Sequence, residues 1–305
     1  MQTVHKVADK IRRLEVKGAR NVAIAAVETL QILAQETKAK SREHFLRELS
    51  EAQETLFASR PTEPLMRNAV KFVTSKVKAS DEKRVAELAQ VVSSSSHEFL
   101  LNLEGSKERI AEIGARHIRD GMIIFTHCHS STVTYLLRTA KQRGRTYEVF
   151  CTETRPVFQG RTTAQEMLDL GVKATLIVDS AARSFMRKAD IALVGADALT
   201  SEGSVVNKIG TASIALFASE ARVPFYVASE LLKFDPDTLY GEYEAIEERS
   251  RDEVWKEAPE TLVVRNPAFE VTRREFIHGI ICEEGVIPPH SISEVVYRKY
   301  PWVFQ

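Results

Sequence analysis

Apolar residues recur at three- and four-residue intervals through the first hundred positions, as in Val22-Ala23-Ile24-Ala25-Ala26-Val27 followed by Leu30, Ile32 and Leu33. The same period returns in Val85-Ala86, Leu88-Ala89, Val91-Val92, Phe99-Leu100-Leu101 and Leu103. That spacing gathers apolar side chains on one helix face, so this part of the chain is predicted to be helical. Pro61 breaks the pattern, because it fits a helix start and disfavours helix at Arg60. The run Ser93-Ser94-Ser95-Ser96 lies inside an unbroken 3.6-residue pattern. It reads as a small-residue contact on one long helix rather than a linker.

From about residue 120 the pattern changes to short β-rich apolar runs. They are Met122-Ile123-Ile124-Phe125, Tyr147-Glu148-Val149-Phe150, Ala174-Thr175-Leu176-Ile177-Val178, Ile191-Ala192-Leu193-Val194, Phe225-Tyr226-Val227-Ala228 and Thr261-Leu262-Val263-Val264. Helical stretches such as 133–143, 164–170 and 213–221 separate most of them. Strand, helix and strand in repetition predict right-handed crossovers and a parallel sheet covered on both faces, an α/β fold. In such sheets ligands bind beyond the carboxyl ends of the strands, so chemistry is sought just after each run.

Composition narrows the function classes. The 305 residues carry 42 Lys+Arg against 42 Asp+Glu, a formal net charge of zero, which disfavours a nucleic-acid binder held by bulk charge. With 13 Gly and 10 Pro the chain has no low-complexity character. No apolar run approaches the roughly 18 residues of a membrane helix. The first twenty residues are charged throughout and unlike a secretory signal, so the expectation is a cytoplasmic protein without a membrane partner. Cys128, Cys151 and Cys282 form no CxxC pair, fitting neither a disulfide framework nor a zinc cage.

The first run is followed by Thr126-His127-Cys128-His129-Ser130-Ser131-Thr132. Ser130, Ser131 or Thr132 is suited to cap the next helix, whose free amides offer an anion site. A cysteine at such a positive end has its thiolate favoured and becomes a candidate base or nucleophile; the plainer reading is a small buried hydrophobe. His127 and His129 alternate in a turn with no carboxylate nearby, so no metal is expected. After the second run, Cys151-Thr152-Glu153-Thr154-Arg155-Pro156 and Phe158-Gln159-Gly160-Arg161 suit either orientation of a polar ligand or a Glu153–Arg155 salt bridge. The fourth run leads through Gly195-Ala196-Asp197 and a turn at Glu202-Gly203 to Asn207-Lys208-Ile209-Gly210-Thr211. There Asp197 is a candidate acid/base carboxylate or a turn former, and Asn207, Lys208 and helix-start amides are candidates for holding phosphate. The chain contains no GxGxxG, no GxxxxGK[ST] and no GxSxG, which disfavours the usual nucleotide enzymes and serine hydrolases.

Together with Val16-Lys17-Gly18-Ala19, Arg60-Pro61-Thr62, Asn266-Pro267-Ala268-Phe269-Glu270-Val271-Thr272 and Gly285-Val286-Ile287-Pro288-Pro289, these segments resemble the family that joins translation initiation factor 2B α/β/δ subunits to sugar-phosphate isomerases. The resemblance spans nearly the whole chain. It implies a helical N-terminal domain, 1–105, followed by a Rossmann-like parallel-sheet domain, 106–305. Isomerases of the family carry a cysteine in T-H-C and an aspartate in G-A-D, and regulatory subunits generally lack the cysteine. This chain has both, Cys128 and Asp197, which implies an enzyme. The segments Asp179-Ser180-Ala181-Ala182-Arg183 and Lys233-Phe234 resemble the branch that converts ribose 1,5-bisphosphate to ribulose 1,5-bisphosphate. The alternatives are the methylthioribose 1-phosphate isomerases and a non-catalytic regulatory subunit.

The resemblance implies that Cys128, as thiolate, removes the C2 proton while Asp197, kept neutral, protonates the ring oxygen; a hydride shift gives the same product. It also implies substrate contacts from Lys17, Gly18, Ala19, Arg20, Arg60, Ser130, Ser131, Gln159, Asn207, Lys208 and Lys233. No metal or cofactor is called for, the partner is a phosphorylated pentose, and a homo-oligomer built on dimers is expected.

Overall fold

The computed structural model describes residues 1–61, 63–241 and 246–304; Thr62 of the Arg60-Pro61-Thr62 segment lies outside them. The chain forms two compact units, one made of Met1–Gly105, Leu232–Phe234 and the residues from Val296 onward, the other of Ser106–Leu231 and Asp235–Val295.

The first unit is helical: α1 (Gln2–Arg12), α2 (Ala19–Glu36), α3 (Arg42–Ser59), α4 (Pro64–Ala79) and α5 (Val85–Ala115), within which the unit boundary falls. Phe45, Leu49, Ala52 and Leu56, at four- and three-residue steps along α3, are each at most 1% exposed. Burying a side chain such as Phe45 or Leu49 contributes about 1.5–3 kcal/mol. Ser41 caps α3 by accepting the His44 N–H at 3.2 Å. α5 runs unbroken through the four serines, and Ser95 and Ser96 are buried. Pro61 is not the helix start the sequence suggests. Arg60 lies outside the helical region, which proline disfavours for the residue before it, and α4 begins three residues later with Pro64 in its first turn, where a missing N–H costs nothing.

Two pieces of the expected 106–305 domain group instead with the helices. Asn68 of α4, 1% exposed, donates to the Leu232 carbonyl at 2.8 Å and the Phe234 carbonyl at 2.9 Å. Phe234 meets Phe304 at a ring separation of 5.4 Å, and Phe72 meets Trp302 at 5.0 Å. Aromatic burial ties these segments to the helical core.

The second unit holds a seven-stranded sheet in the order β10-β9-β7-β4-β1-β2-β3. Its strands are β1 (Met122–Thr126), β2 (Tyr147–Thr152), β3 (Lys173–Ile177), β4 (Ile191–Val194), β7 (Phe225–Ala228), β9 (Gly279–Cys282) and β10 (Gly285–Ile287). Every neighbouring pair is parallel except the β9–β10 hairpin. Helices α6 (Ser131–Gln142), α7 (Gln159–Asp169), α8 (Ala182–Met186) and α9 (Thr211–Ala221) connect the strands. Ile124, Val149 and Leu193 of the sheet pack with Leu136, Leu137 and Met167 of α6 and α7. A second, antiparallel sheet joins β5 (Ala198–Leu199), β6 (Val205–Lys208) and β8 (Phe269–Thr272). Short helices α10 (Asp252–Trp255) and α11 (Ile292–Lys299) complete the labelled elements.

The run Thr261-Leu262-Val263-Val264 is not a strand. It is irregular, with Val263 82% exposed, because the place beside β7 is taken by β9, whose residues are all buried. No helix among the described residues is long and apolar enough to cross a membrane.

Candidate active site

From β1 the chain steps outward to β2 and β3, then returns to the other side of β1 with β4. The carboxyl ends of β1 and β4 therefore flank the point where strand order reverses, the usual place for a ligand in a parallel sheet. Cys128 lies two residues beyond β1 and Asp197 three beyond β4. Asp197 is held by its own amide, which donates to the Val206 carbonyl at 2.9 Å as the β5–β6 hairpin opens. That hairpin brings Asp197 beside Asn207 and Lys208 at the end of β6.

Cys128 is held through its backbone. It has φ 66°, in the left-handed region that non-glycine residues seldom adopt. Its N–H donates to Thr154 Oγ1 at 2.9 Å and its carbonyl accepts from Thr163 Oγ1 at 2.9 Å. Burial pushes the Cys128 thiol up to about 12, with Lys208 and the His129 N–H pulling it down and Asp197 and Asp179 adding to the rise. This corrects the expectation that the helix start favours the thiolate: desolvation outweighs the nearby donors, and the sulfur of the free protein holds its proton.

His127, 2% exposed, ties two of the strand ends together. Nε2 lies 2.8 Å from the Ile209 carbonyl and must donate to it, so Nδ1, 2.5 Å from Thr152 Oγ1, accepts the threonine hydroxyl. Burial holds the ring below the usual histidine pKa and so neutral, as that pair of bonds requires. Gly210, φ 103°, lets the imidazole in, since a Cβ there would lie 2.9 Å from Cε1. His129 makes a different contact, with Thr163 Oγ1 at 3.2 Å. Among the described residues no group of three or more His, Cys, Asp or Glu is placed to hold a metal ion.

The two helix starts differ. At α6, Ser130 Oγ accepts the Val133 N–H at 3.4 Å, so Ser130 is the cap, and exposed Ser131 opens the helix. At α9, Glu270 Oε1 accepts the Gly210 N–H at 2.6 Å and the Ala212 N–H at 2.9 Å. Two of the amides at the α9 start expected to receive phosphate are thus already taken by a carboxylate from β8. Asn207, 6% exposed, donates to Thr211 Oγ1 at 3.1 Å, and the Lys208 ammonium lies 4.6 Å from the centre of the Phe269 ring. Gln159 heads α7, and its Oε1 is buried without a hydrogen-bond donor. A buried carbonyl oxygen left in that state costs about 1–3 kcal/mol unless a ligand supplies a donor.

The structure thus gathers Cys128, Ser130, Ser131, Gln159, Asp197, Asn207 and Lys208 at the strand ends of the α/β unit. The other sequence candidates belong to the helical unit. Gly18, φ 84°, is the N-cap of α2, preceded by exposed Lys17 and followed by buried Ala19. Arg20 donates to the Leu103 carbonyl at 2.8 Å and pairs with Glu104. Arg60 pairs with fully buried Glu63 at 3.1 Å, and Lys233 is 5% exposed. Sequence reasoning missed Thr154, Thr163, Asp179 and Glu270. Asp179 had a signal, since it directly follows the third apolar run; Glu270 lay in a segment that carries the family resemblance, but β8 does not stand out as a strand and nothing placed its carboxylate at the α9 start.

A family model described as the initiation factor 2 subunit family matches residues 15–289. The chain is 44% identical to the ribose 1,5-bisphosphate isomerase of Archaeoglobus fulgidus over 98% of this chain and 94% of that protein. It is 36% identical to the methylthioribose-1-phosphate isomerase of Pelotomaculum thermopropionicum over 93% and 82%. Among solved structures, the translation initiation factor eIF-2B of Pyrococcus horikoshii OT3 superposes with a TM-score of 0.82 at 33% identity, covering 94% of this chain and 97% of that one. With a parallel sheet, a cysteine and an aspartate flanking its switch point, and matches along nearly its whole length, the chain belongs to the initiation factor 2 subunit family.

Proposed function

We propose that this protein is an aldose–ketose isomerase that converts ribose 1,5-bisphosphate to ribulose 1,5-bisphosphate. The observation that carries the reading is the pairing of Cys128 and Asp197 on the two strand ends beside the switch point, with Asp197 near enough to bear on the Cys128 thiol. The greater identity to ribose 1,5-bisphosphate isomerases than to methylthioribose-1-phosphate isomerases supports the choice of sugar.

A pentose phosphorylated at C1 cannot open to a free aldehyde, so the ring must open by cleavage of the C1 to ring-oxygen bond. Asp197 gives its proton to the ring oxygen as that bond breaks, and Cys128, as thiolate, takes the proton from C2. The thiol then returns its proton to C1 of the enol phosphate while the C2 hydroxyl proton passes to the Asp197 carboxylate. C2 becomes the ketone and both side chains recover their starting state. This requires Cys128, whose thiol burial holds protonated in the free protein, to act as the thiolate once substrate is bound. Lys208 and the His129 N–H favour the thiolate so formed.

Lys208 and the α6 start, with Ser130 and Ser131, supply phosphate contacts, and Gln159 Oε1 accepts a sugar hydroxyl, which answers its buried, donorless state. Roles for Lys17, Gly18, Ala19, Arg20, Arg60 and Lys233 toward phosphate rest on the family resemblance, as does assembly into a homo-oligomer. The test is to incubate the purified protein with ribose 1,5-bisphosphate and, separately, with methylthioribose 1-phosphate. Turnover of the bisphosphate at higher kcat/KM supports the reading; preference for the methylthio sugar would reassign the substrate, and turnover of neither would overturn the enzyme.

A further inference from the structure

We propose that Asp179 and Thr154, which belong to no sequence-derived catalytic set, are positioning residues that hold Cys128 in its left-handed backbone conformation. The proposal rests on the isomerase reading above but is argued from geometry independent of the substrate.

The Asp179 carboxylate lies just beyond β3, one strand further from the switch point than β2. It accepts the Thr154 N–H at 2.8 Å on Oδ1 and the Arg155 N–H at 2.7 Å on Oδ2, one oxygen for each of two successive amides. Such a fork fixes the turn after β2, where Thr154 has φ 62°. Thr154 is fully buried, and its Oγ1 is the acceptor for the Cys128 N–H at 2.9 Å. Thr154 and Cys128 both occupy a region that β-branched and bulky residues avoid, and each is kept there by an acceptor on the next strand outward. Strain of this kind persists only where the surroundings over-determine it, and here the restraint runs from Asp179 to Thr154 to Cys128. The Thr163 hydroxyl, bonded to the Cys128 carbonyl, closes the other side. Asp179 also contributes a negative charge that the Cys128 thiol feels. The Asp179-to-Arg183 segment, which in the sequence only resembles the bisphosphate branch, thereby acquires a structural role at the site.

The chain of contacts predicts that the hydroxyl of Thr154, not its bulk, is what matters. The experiment compares Thr154→Val, Thr154→Ser and Asp179→Asn by thermal unfolding, by kcat and KM on ribose 1,5-bisphosphate, and by the rate of Cys128 alkylation with iodoacetamide, read by peptide mass spectrometry without substrate. Thr154→Val and Asp179→Asn are expected to lower kcat at least 30-fold with KM changed less than threefold. Both should raise the alkylation rate at Cys128 at least fivefold, because the sulfur leaves its buried seat. Thr154→Ser should stay within threefold of the parent in every measure. Alkylation unchanged in Thr154→Val, or Thr154→Ser behaving like Thr154→Val, would overturn the proposal. If the parent protein turns over no ribose 1,5-bisphosphate, the functional reading fails while the alkylation rates still decide this one.

Discussion

Glu270 offers the sharpest single test of how the site is assembled, because the structure gives it a role opposite to the one expected of its surroundings. Its Oε1 accepts two amides at the start of α9, at 2.6 and 2.9 Å. A hydrogen bond to a charged group contributes about 1.5–3 kcal/mol, and a carboxylate at a helix N-terminus about 0.3–1 kcal/mol. Glu270 is half-buried, so water recovers part of the loss when the side chain is removed. Glu270→Ala is therefore expected to destabilise the protein by about 3 kcal/mol. For a unit of this size that is a fall in Tm of roughly 6–12 °C by calorimetry. Glu270→Gln keeps an oxygen able to accept both amides and loses only the charge, for about 1 kcal/mol. Equal damage from both variants, or none from Glu270→Ala, would refute the account of the α9 start. Kinetics add a second arm. If that helix end received substrate phosphate, removing the carboxylate in Glu270→Gln would lower KM; the structure predicts a KM that does not fall, and a tenfold decrease would restore the phosphate reading.

Cys128→Ser and Asp197→Asn should each lower kcat at least a thousandfold with far-UV circular dichroism unchanged, and activity within tenfold of the parent would remove either residue from the proton transfers. Gln159→Leu should raise KM by about tenfold, the worth of one lost hydrogen bond, while leaving Tm unchanged or higher, because it deletes a buried oxygen that has no donor in the free protein; a fall of several degrees would mean that the oxygen is satisfied internally. His127 is held below its unfolded pKa by burial, so the unfolded chain binds the extra proton first. Its contribution is present above about pH 6.5 and is lost as pH falls below that value. The Tm of the parent should therefore drop more between pH 7 and pH 5.5 than that of His127→Gln, and equal slopes would count against the neutral, doubly bonded ring. The Cys128 thiol, raised to about 12, should alkylate some tenfold faster per pH unit from pH 7 to pH 9, and a plateau in that window would show a thiol with a much lower pKa.

Local periodicity was enough to read the α/β architecture. The 3.6-residue stripe on α2 and α5 and the short apolar runs of β1 to β4 and β7 depend on which face of an element is buried, and that is written residue by residue. The strand-end rule then pointed to Cys128 and Asp197, because in a parallel sheet every crossover returns the chain to the same edge. It failed where the pattern depends on company. Thr261-Leu262-Val263-Val264 has strand composition but no neighbour to pair with, while β8, with a glutamate at its second position, is a strand because β6 lies beside it.

What the sequence by itself determined was the order of helices and strands and which strand ends carry chemistry, since propensity and burial period are local properties. Only tertiary structure decided the protonation of Cys128, the closing of the α9 start by Glu270, and the hold of Asp179 and Thr154 on the Cys128 backbone. Each of these is a balance between desolvation and contacts from residues 25 to 80 positions away. Desolvation and hydrogen bonding depend on distance in space, and no spacing along the chain carries that information.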